Sequence, residues 1–403
     1  MGGLFIGNML ARQGWQVDIF ERVTSGLEAR GAGIAGHAEL TAVLRAIGAT
    51  TDRPVGIDVS GRIAFDRFGN ELARYDYPQY LTSWNLVFRL LQAAFPRERY
   101  HLGVEMRDLH QTGDGAVATL SNGETIAADL VVGADGIRSK VRGALAPEIE
   151  PNYGGYVAWR GVIEEADLSP AFMAETFGQY SFCFPPGGQL IGYPMSGQDG
   201  SVAPGSRRYC FVWYRHVAAG DELDDLLTDD VGRRHDHSIP PPLIRRTHIE
   251  ALHRDGMRDL PPRFTEIFRK ADGHLLQPIY DLQSRHIAFG RVALLGDAAF
   301  VCRPHVGVGV LKAAQDAAAL AQCLDQCDAV PEALARYEEA RLQDGVDAVA
   351  FGRQLGAFIE RGLADPTVDP ELGLSYDFIV RESARLPRTE AMRRNAVRER
   401  VLQ

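Results

Sequence analysis

The sequence has no excess of basic residues and no long apolar run. Forty-three lysines and arginines stand against 53 aspartates and glutamates, and the formal net charge is -10. Because nucleic-acid binders usually carry a basic surface, this balance argues against a nucleic-acid partner. No apolar segment approaches the ~18 residues of a membrane span, and no signal peptide is recognisable at the N-terminus. We therefore expect a cytoplasmic protein without a membrane partner.

Cysteine is also scarce. The five cysteines are an odd number at irregular spacing, which does not indicate a disulfide framework. Reduced thiols in the cytoplasm are the expected state. Cys323 and Cys327 stand four positions apart on a predicted helix, but without a histidine or third cysteine at ligand spacing they are better interpreted as packing residues. The sequence predicts no metal site.

A short apolar run followed by a glycine-rich turn is the most informative stretch. Residues 292–295 read as a strand buried on both faces, and Gly296 and Asp297 end it. The turn at 304–309 leads to a helix of small residues. Such a connection collects backbone N–H groups and the positive end of a helix dipole in one place, where an anionic ligand can bind. Taken alone, an ordinary strand-to-helix connection is an equally good interpretation.

The first 21 residues read as the second half of a dinucleotide-binding unit. Gly3 starts a helix, a strand follows, and Glu21 stands 18 positions after Gly3, where a carboxylate can accept both ribose hydroxyls. The first strand and the earlier glycines of the motif are missing. Because a parallel sheet without its innermost strand leaves ladder groups unpaired, we expect that this sequence starts at an internal methionine and lacks upstream residues. The alternative is a genuine N-terminus with another strand in the gap.

Residues 129–142 have the same pattern as the stretch at Gly296 and Asp297, with a carboxylate and a glycine at the end of a strand. They read as a buried strand, a turn at Asp135 and Gly136, and the start of a helix near Ser139. Open α/β sheets bind ligands at the carboxyl ends of their strands, although an Asp-Gly turn is more often only a turn.

The predicted fold is of the α/β (α+β) class with two lobes. Residues 1–53, 83–150 and 272–350 are expected to form a Rossmann-like domain around a parallel sheet. Residues 54–82 and 151–271, rich in aromatic strands and Pro/Gly turns, are expected to form a mainly antiparallel substrate domain. Residues 351–403 are expected to form a C-terminal helical segment.

Three motifs in this order resemble the flavoprotein aromatic hydroxylases, the para-hydroxybenzoate hydroxylase fold group. They are the Gly3…Glu21 unit, the Asp135 turn and the stretch from Gly296 to Asp316. Residues 31–34, 153–161 and 303–305 also resemble the 2,6-dihydroxypyridine 3-hydroxylase branch. Each motif alone is weak evidence, but their order over roughly 300 residues is specific.

The resemblance implies an FAD-dependent monooxygenase, with FAD held by Glu21 at the ribose and Asp297 at the ribityl chain. NADH or NADPH would bind transiently and reduce the flavin. O2 would then give a C4a-hydroperoxyflavin that hydroxylates a small electron-rich aromatic or N-heteroaromatic ring, hydroxypyridine-like or phenolic. A homodimer is the family expectation. The implied cofactor-binding residues are Gly3, Leu4, Glu21, Arg22, Arg30, Gly33, Asp135, Gly136, Arg142, Gly296, Asp297, Pro304, Gly307, Val308 and Gly309.

His305 is the first candidate for the group that takes a proton from the substrate, and Tyr193 is the second. Trp159 and Arg160 are expected to line or close the substrate pocket together with them. A loop histidine bonded to backbone is the alternative for His305, and sheet packing is the alternative for Tyr193 and Trp159.

Two other functions stay open. A related flavoprotein hydroxylase or epoxidase would act on a larger or lipidic substrate and would need a long apolar pocket. A truncated relative without FAD would be a binding protein, and it would be colourless when purified.

Overall fold

The structure, a computed structural model, describes residues 1–24, 33–50 and 54–385. Its strands are β1 Ile19–Glu21, β2 Gly33–Ala35, β3 Ile57–Asp66, β4 Glu71–Ser83, β5 Tyr100–Leu102, β6 Met106–Gln111, β7 Ala116–Leu120, β8 Thr125–Ala128, β9 Val131–Gly133, β10 Asn152–Glu164, β11 Gln179–Phe184, β12 Gly188–Met195, β13 Arg208–His216, β14 Asp272–Gln283, β15 Ala288–Phe289, β16 Val292–Leu294 and β17 Phe300–Val301. Its helices are α1 Gly2–Arg12, α2 Ala38–Ala46, α3 Trp84–Ala94, α4 Lys140–Leu145, α5 Pro170–Phe172, α6 Asp221–Leu226, α7 Arg246–Asp259, α8 Pro262–Lys270, α9 Gly309–Gln326, α10 Val330–Glu360 and α11 Tyr376–Glu382. Within these ranges, no helix has the length and apolar character needed to cross a membrane.

Nine strands form one mixed sheet in the order β17-β14-β10-β13-β12-β11-β3-β4-β2. Because side chains alternate along each strand, the sheet has two apolar faces. The front face carries Tyr156, Tyr193 and Tyr214 and is covered by α10 and α11. The back face carries Trp159 and Trp213 and is covered by α7 and α8. The substrate lobe predicted from the aromatic strands is therefore built on this sheet.

In the predicted Rossmann-like domain, the parallel strand pairs are divided between two small sheets; a further parallel pair, β3 with β11, belongs to the nine-stranded sheet. β1 pairs with β5, and β16 pairs with β9. Helix α1 begins between them, since a methyl group added at Gly3 would lie 3.9 Å from Ile19 and 3.8 Å from Ala134. Across 1–24, 33–50 and 54–385, no strand joins β1 to β9. The predicted parallel sheet is thus present in two parts.

One predicted domain boundary divides a sheet, and another divides a helix. The boundary at 271/272 separates β14 from the sheet in which it pairs with β10. The boundary at 350/351 cuts α10, a single helix of 31 residues. Helix α10 buries Leu334 and Tyr337 in the core beside β16, and Leu355 and Phe358 against the front face. Because one helix serves both cores, the two lobes cannot be separated at these positions.

Helix α10 packs closely on β17 through Gly345. A Cβ atom at Gly345 would overlap the ring of Phe300, and Gly345→Ala should therefore lower the free energy of unfolding by about 1–3 kcal/mol. Gly143→Ala in α4 is the matched control, because its Cβ would meet nothing within 4 Å. Helix propensity alone should then raise stability by about 0.5–1 kcal/mol. Denaturant unfolding measures both, and a stabilised Gly345→Ala variant would contradict this packing.

A histidine pair on the back face should make stability depend on pH. Nε2 of His253 lies 2.9 Å from Nε2 of His274, and burial, followed by the charge of His253, lowers the pKa of His274 from 6.5 to about 4. Between these values the unfolded chain binds the proton and the folded chain does not. The free energy of unfolding should therefore fall by up to about 3 kcal/mol as the pH drops through this window, and it should be unaffected above it. Denaturant unfolding at about pH 7.5 and about pH 4.5 should show a smaller loss in His274→Gln; an equal loss would contradict the assignment.

Candidate active site

Buried side chains of α9 and α10 hold the turn after β16. The Gly296 N–H donates to Oδ2 of Asp316 at 3.1 Å, and the Gly296 carbonyl accepts from Nζ of Lys312 at 2.8 Å. Oδ1 of Asp316 accepts from Nε of Arg341 at 2.9 Å. Gly296 has a φ of +64°, which glycine adopts without steric cost. Charge-assisted hydrogen bonds therefore hold the turn in one conformation.

Asp297 presents its carboxylate on the open side of this turn. The residue is exposed. Even so, burial by the surrounding protein raises its pKa above 3.8, and Lys312 opposes that rise. The carboxyl ends of β9 and β16 meet the start of α1 beside this turn, since a Cβ at Gly2 would lie 2.7 Å from Leu295 and 3.5 Å from Ala134; we refer to this place as the cleft.

Two helices begin at this cleft without a side-chain cap. They are α1, which starts at Gly2, and α9, which starts at Gly309. Burial lowers the pKa of the Met1 amino group, while the nearby carboxylates of Glu21 and Asp297 act in the opposite direction. Uncapped N–H groups bind phosphate, and carboxylates accept hydrogen bonds from sugar hydroxyls. This set of groups therefore fits a dinucleotide such as FAD.

Arg142 joins the turn at Asp135 and Gly136 to the turn at Gly296 and Asp297. Oδ2 of Asp135 accepts from the backbone N–H groups of Lys140 and Val141 at 2.6 and 3.3 Å, which caps α4. Arg142 is buried and donates to the carbonyl of Ala298 at 2.9 Å, and its other two nitrogens donate to further carbonyls. The predicted cofactor contact of Arg142 is thus corrected, because all three nitrogens serve the protein backbone.

The loop from β17 to α9 is tied to the sheet and to α10 by an ion network. Nε of Arg303 lies 2.9 Å from Oδ2 of Asp281, and Nη1 of Arg303 lies 2.6 Å from Oε2 of Glu360. Oδ1 of Asp281 also lies 2.6 Å from Nη2 of Arg353. Arg303 and Asp281 are both buried, so the loop is anchored at its base.

A single 3₁₀ turn, Pro304–Val306, places His305 on the front face. Nε2 of His305 lies 2.9 Å from Oη of Tyr156, and the ring centroids of His305 and Tyr214 are 4.4 Å apart. Burial, followed by the charge of Arg303, lowers the pKa of His305 to about 3. Burial also raises the pKa of Tyr156. At neutral pH, both members of this hydrogen-bonded pair are therefore uncharged.

Tyr193 connects β12 to β2. Its hydroxyl donates to the carbonyl of Gly33 at 3.0 Å, and a Cβ atom at Gly33 would overlap the Tyr193 ring. Burial raises the pKa of Tyr193 well above 10. A protonated phenol that already donates to backbone favours the packing interpretation of Tyr193 over its role as a base.

Trp159 and Arg160 lie on opposite faces of the sheet. Trp159 is buried in the back-face core, whereas the charge of Arg160 acts on Tyr193 and Tyr214 of the front face. Nε of Arg160 donates to Oε1 of Gln277 at 3.0 Å, and in the described part of the chain its Nη atoms have no acceptor. The expectation that both residues line one pocket is corrected, because neighbouring residues of a strand point to opposite faces.

The other residues predicted to bind the cofactor differ in how exposed they are. Leu4 and Val308 are buried in the core, Gly136 has a φ of +80° beside the cleft, and Arg22 is exposed next to Glu21. Arg30 lies outside the described residues, as do Gly31 and Ala32 of the segment 31–34, whereas Gly33 begins β2.

Several residues of the site are absent from the sequence-based list: Tyr156, Tyr214, Asp281, Lys312 and Asp316. Strand alternation was the available signal for the two tyrosines, since both share a face with Tyr193 once the β10–β13–β12 register is known. Asp316 ends the Gly296 motif and has Lys312 four positions before it, but nothing local marks Asp281, because its partner Arg303 is 22 positions away.

Comparison with known proteins identifies the family. A profile described as "FAD binding domain-like" matches residues 153–281, and one described as "FAD binding domain" matches residues 278–351. The 2,6-dihydroxypyridine 3-monooxygenase of Paenarthrobacter nicotinovorans is 30% identical over 354 residues, which is 86% of either chain. The chain belongs to the family of FAD-dependent monooxygenases.

Another relative and a solved structure agree with this assignment. The 3-amino-4-hydroxybenzoate 2-monooxygenase of Streptomyces cremeus is 28% identical over 373 residues, covering 88% of this chain and 84% of that protein. The structure of 2,6-dihydroxypyridine-3-hydroxylase from Arthrobacter nicotinovorans superposes with a TM-score of 0.84 at 27% identity, covering 96% of this chain and 95% of that one. The predicted family and fold class are confirmed.

The ion network at Asp281 should be essential for stability. Asp281→Asn would remove the buried carboxylate partner of Arg303 and leave it only the more exposed Glu360, and we expect it to cost about 3–5 kcal/mol in free energy of unfolding. Asp18→Asn is the control, because Asp18 pairs with Arg99 at the surface and such pairs contribute about 1 kcal/mol or less. Denaturant unfolding of the two variants measures the contrast. Equal losses would show that Arg303 does not depend on Asp281.

Proposed function

We propose that this protein is an FAD-dependent monooxygenase that uses NAD(P)H and O2 to hydroxylate a small electron-rich aromatic or N-heteroaromatic compound. One observation carries the proposal: a single connection leads from Asp297 in the dinucleotide-type cleft to His305 on the aromatic front face. Cofactor and substrate ring would thereby meet at the same loop. The relatives support this class, since one is named for a dihydroxypyridine and another for an aminohydroxybenzoate.

FAD would be held by the two carboxylates and the two helix starts of the cleft. Glu21 would accept from the adenosine ribose and Asp297 from the ribityl chain, while the N-termini of α1 and α9 would face phosphate or the electron-rich edge of the flavin. Gly309, where a Cβ would meet nothing within 4 Å, would leave space for the ring at the start of α9. When bound, FAD supplies the redox chemistry that activates O2 and transfers an oxygen atom.

The protein would orient the substrate and move its proton. His305 is neutral because burial lowers its pKa to about 3; in the tautomer whose Nε2–H donates to Tyr156, Nδ1 would accept from a substrate hydroxyl. Tyr156 fixes the ring by its bond to Nε2. The free Nη atoms of Arg160 would stabilise the anion that forms when a phenol or hydroxypyridine loses its proton. Burial of His305 and Tyr156 would keep water from the reacting ring.

The test is product formation by the purified protein with FAD. NAD(P)H oxidation stimulated by hydroxypyridines or phenols, with one oxygen atom added to the product by mass spectrometry, is the expected result. His305→Gln should lower the rate of hydroxylation by about 100-fold while the flavin absorption bands are kept. Tyr153→Phe is the control. Tyr153 lies on β10 with Tyr156, but its hydroxyl donates to the Val217 carbonyl outside the site.

Each other outcome has a definite meaning. Wild-type hydroxylation by His305→Gln would remove His305 from the chemistry. Turnover of only larger or lipidic substrates would replace the proposed substrate class. A colourless protein that does not retain added FAD would rule out the enzymatic proposal and favour a binding protein.

A further inference from the structure

Arg62 on β3 is a fully buried guanidinium, and all its hydrogen-bond acceptors among residues 1–24, 33–50 and 54–385 are uncharged. Its exposed fraction is 0%. Nε and Nη2 donate to Oε1 of Gln79 at 3.1 and 2.6 Å. Nη1 donates to the carbonyls of Val380 at 2.9 Å and Arg381 at 3.1 Å, and to that of Ser383. Such an arrangement is unusual, because a buried charge is normally paired with an opposite one.

The acceptors identify what Arg62 holds. The carbonyls of Val380 and Arg381 belong to the last turn of α11, where carbonyls have no partner within the helix and carry the negative end of its dipole. Arg62 therefore caps a helix that is more than 300 positions away in sequence. The guanidinium also stacks on Tyr77, with Cζ 4.4 Å from the ring centroid. Burial lowers the pKa of Arg62 only to about 10, so it stays charged at neutral pH.

The residues after α11 are seated on the loop that carries His305. The Ala384 N–H donates to the His305 carbonyl at 2.9 Å. Ala384 has a φ of +50°, a left-handed conformation that non-glycine residues rarely adopt. Gly307 faces it so closely that a Cβ at Gly307 would lie 2.7 Å from the Ala384 Cα atom. The backbone at Ala384 is therefore strained where the residues after α11 pack against this loop.

The same segment covers the front face. Ile379 and Val380 have 0% exposed area and pack in the core that contains Tyr180 and Tyr193. We call residues 376–385 the C-terminal strap. The strap therefore contacts both the tyrosine face and the His305 loop.

We propose that Arg62 is a positioning residue that latches the C-terminal strap onto the His305 loop and so sets the access of water and larger molecules to the site. The latch follows from the contacts of Arg62 alone. The statement about access rests on the proposed function. The two parts are therefore tested by separate measurements.

Hydrogen exchange of the full-length protein without added cofactor tests the latch. In Arg62→Gln, the backbone amides of the C-terminal strap should exchange at least about tenfold faster than in the wild type, while those of β12 and β13 should be unchanged. Arg62→Lys should give a smaller increase, because it keeps the charge but loses the planar fork. Arg74→Gln is the matched control, since Arg74 pairs with Glu71 on the exposed side of β4.

Two results would overturn the latch: wild-type exchange of the strap in both Arg62 variants, or acceleration spread equally over the whole nine-stranded sheet. If Arg62→Gln does not fold, the exchange of the strap in Arg62→Lys alone tests the latch.

The statement about access is tested with FAD and substrate. Arg62→Lys should divert a larger share of NAD(P)H oxidation to hydrogen peroxide, and unchanged coupling would overturn it. A strap that opens in a protein without any hydroxylation would support the latch and count against the proposed function.

Discussion

The site depends on the hydrogen bonds that the Asp316 carboxylate accepts. It accepts from the Gly296 N–H on one side and from Arg341 on the other, with Lys312 beside it. A buried carboxylate is tolerated only when it is paired in this way. By fixing Gly296, Asp316 sets the direction in which Asp297 faces the cleft, and it does so from α9, the helix that begins at the same cleft. Turn, carboxylate and helix start are thus one rigid unit.

A second constraint joins this unit to the sheet. The loop between Asp297 and α9 is anchored by Arg303 to Asp281 of β14 and to Glu360 of α10. Helix α10 packs in both cores, so the loop cannot shift without disturbing each of them. Under the proposed function, this anchoring would hold the cofactor and the substrate ring at a fixed separation although they would bind to different lobes. It also explains why predicted boundaries at 271/272 and 350/351 do not separate independent units.

Desolvation gives the site its electrostatic character. The same burial that lowers the pKa of His305 to about 3 raises the pKa of Tyr156, and both groups are left neutral and hydrogen-bonded to each other. Beside this neutral pair, the guanidinium of Arg160 lies on the front face, and its Nη atoms have no acceptor in the described part of the chain. Under the proposed function, it would stabilise a substrate ring that becomes anionic when it reacts.

The sequence by itself determined the family, the α/β class and the turns at Gly296–Ala298 and Asp135, because strand ends, glycines and acidic residues at fixed spacing are local features. It also singled out His305. Only the tertiary structure decided that Arg142 serves the backbone, that Tyr156 is the partner of His305, and that Trp159 points away from Arg160. Those facts depend on strand register and on contacts between residues more than 100 positions apart. The pairing of buried charges is settled by packing, and no pattern along the chain encodes it.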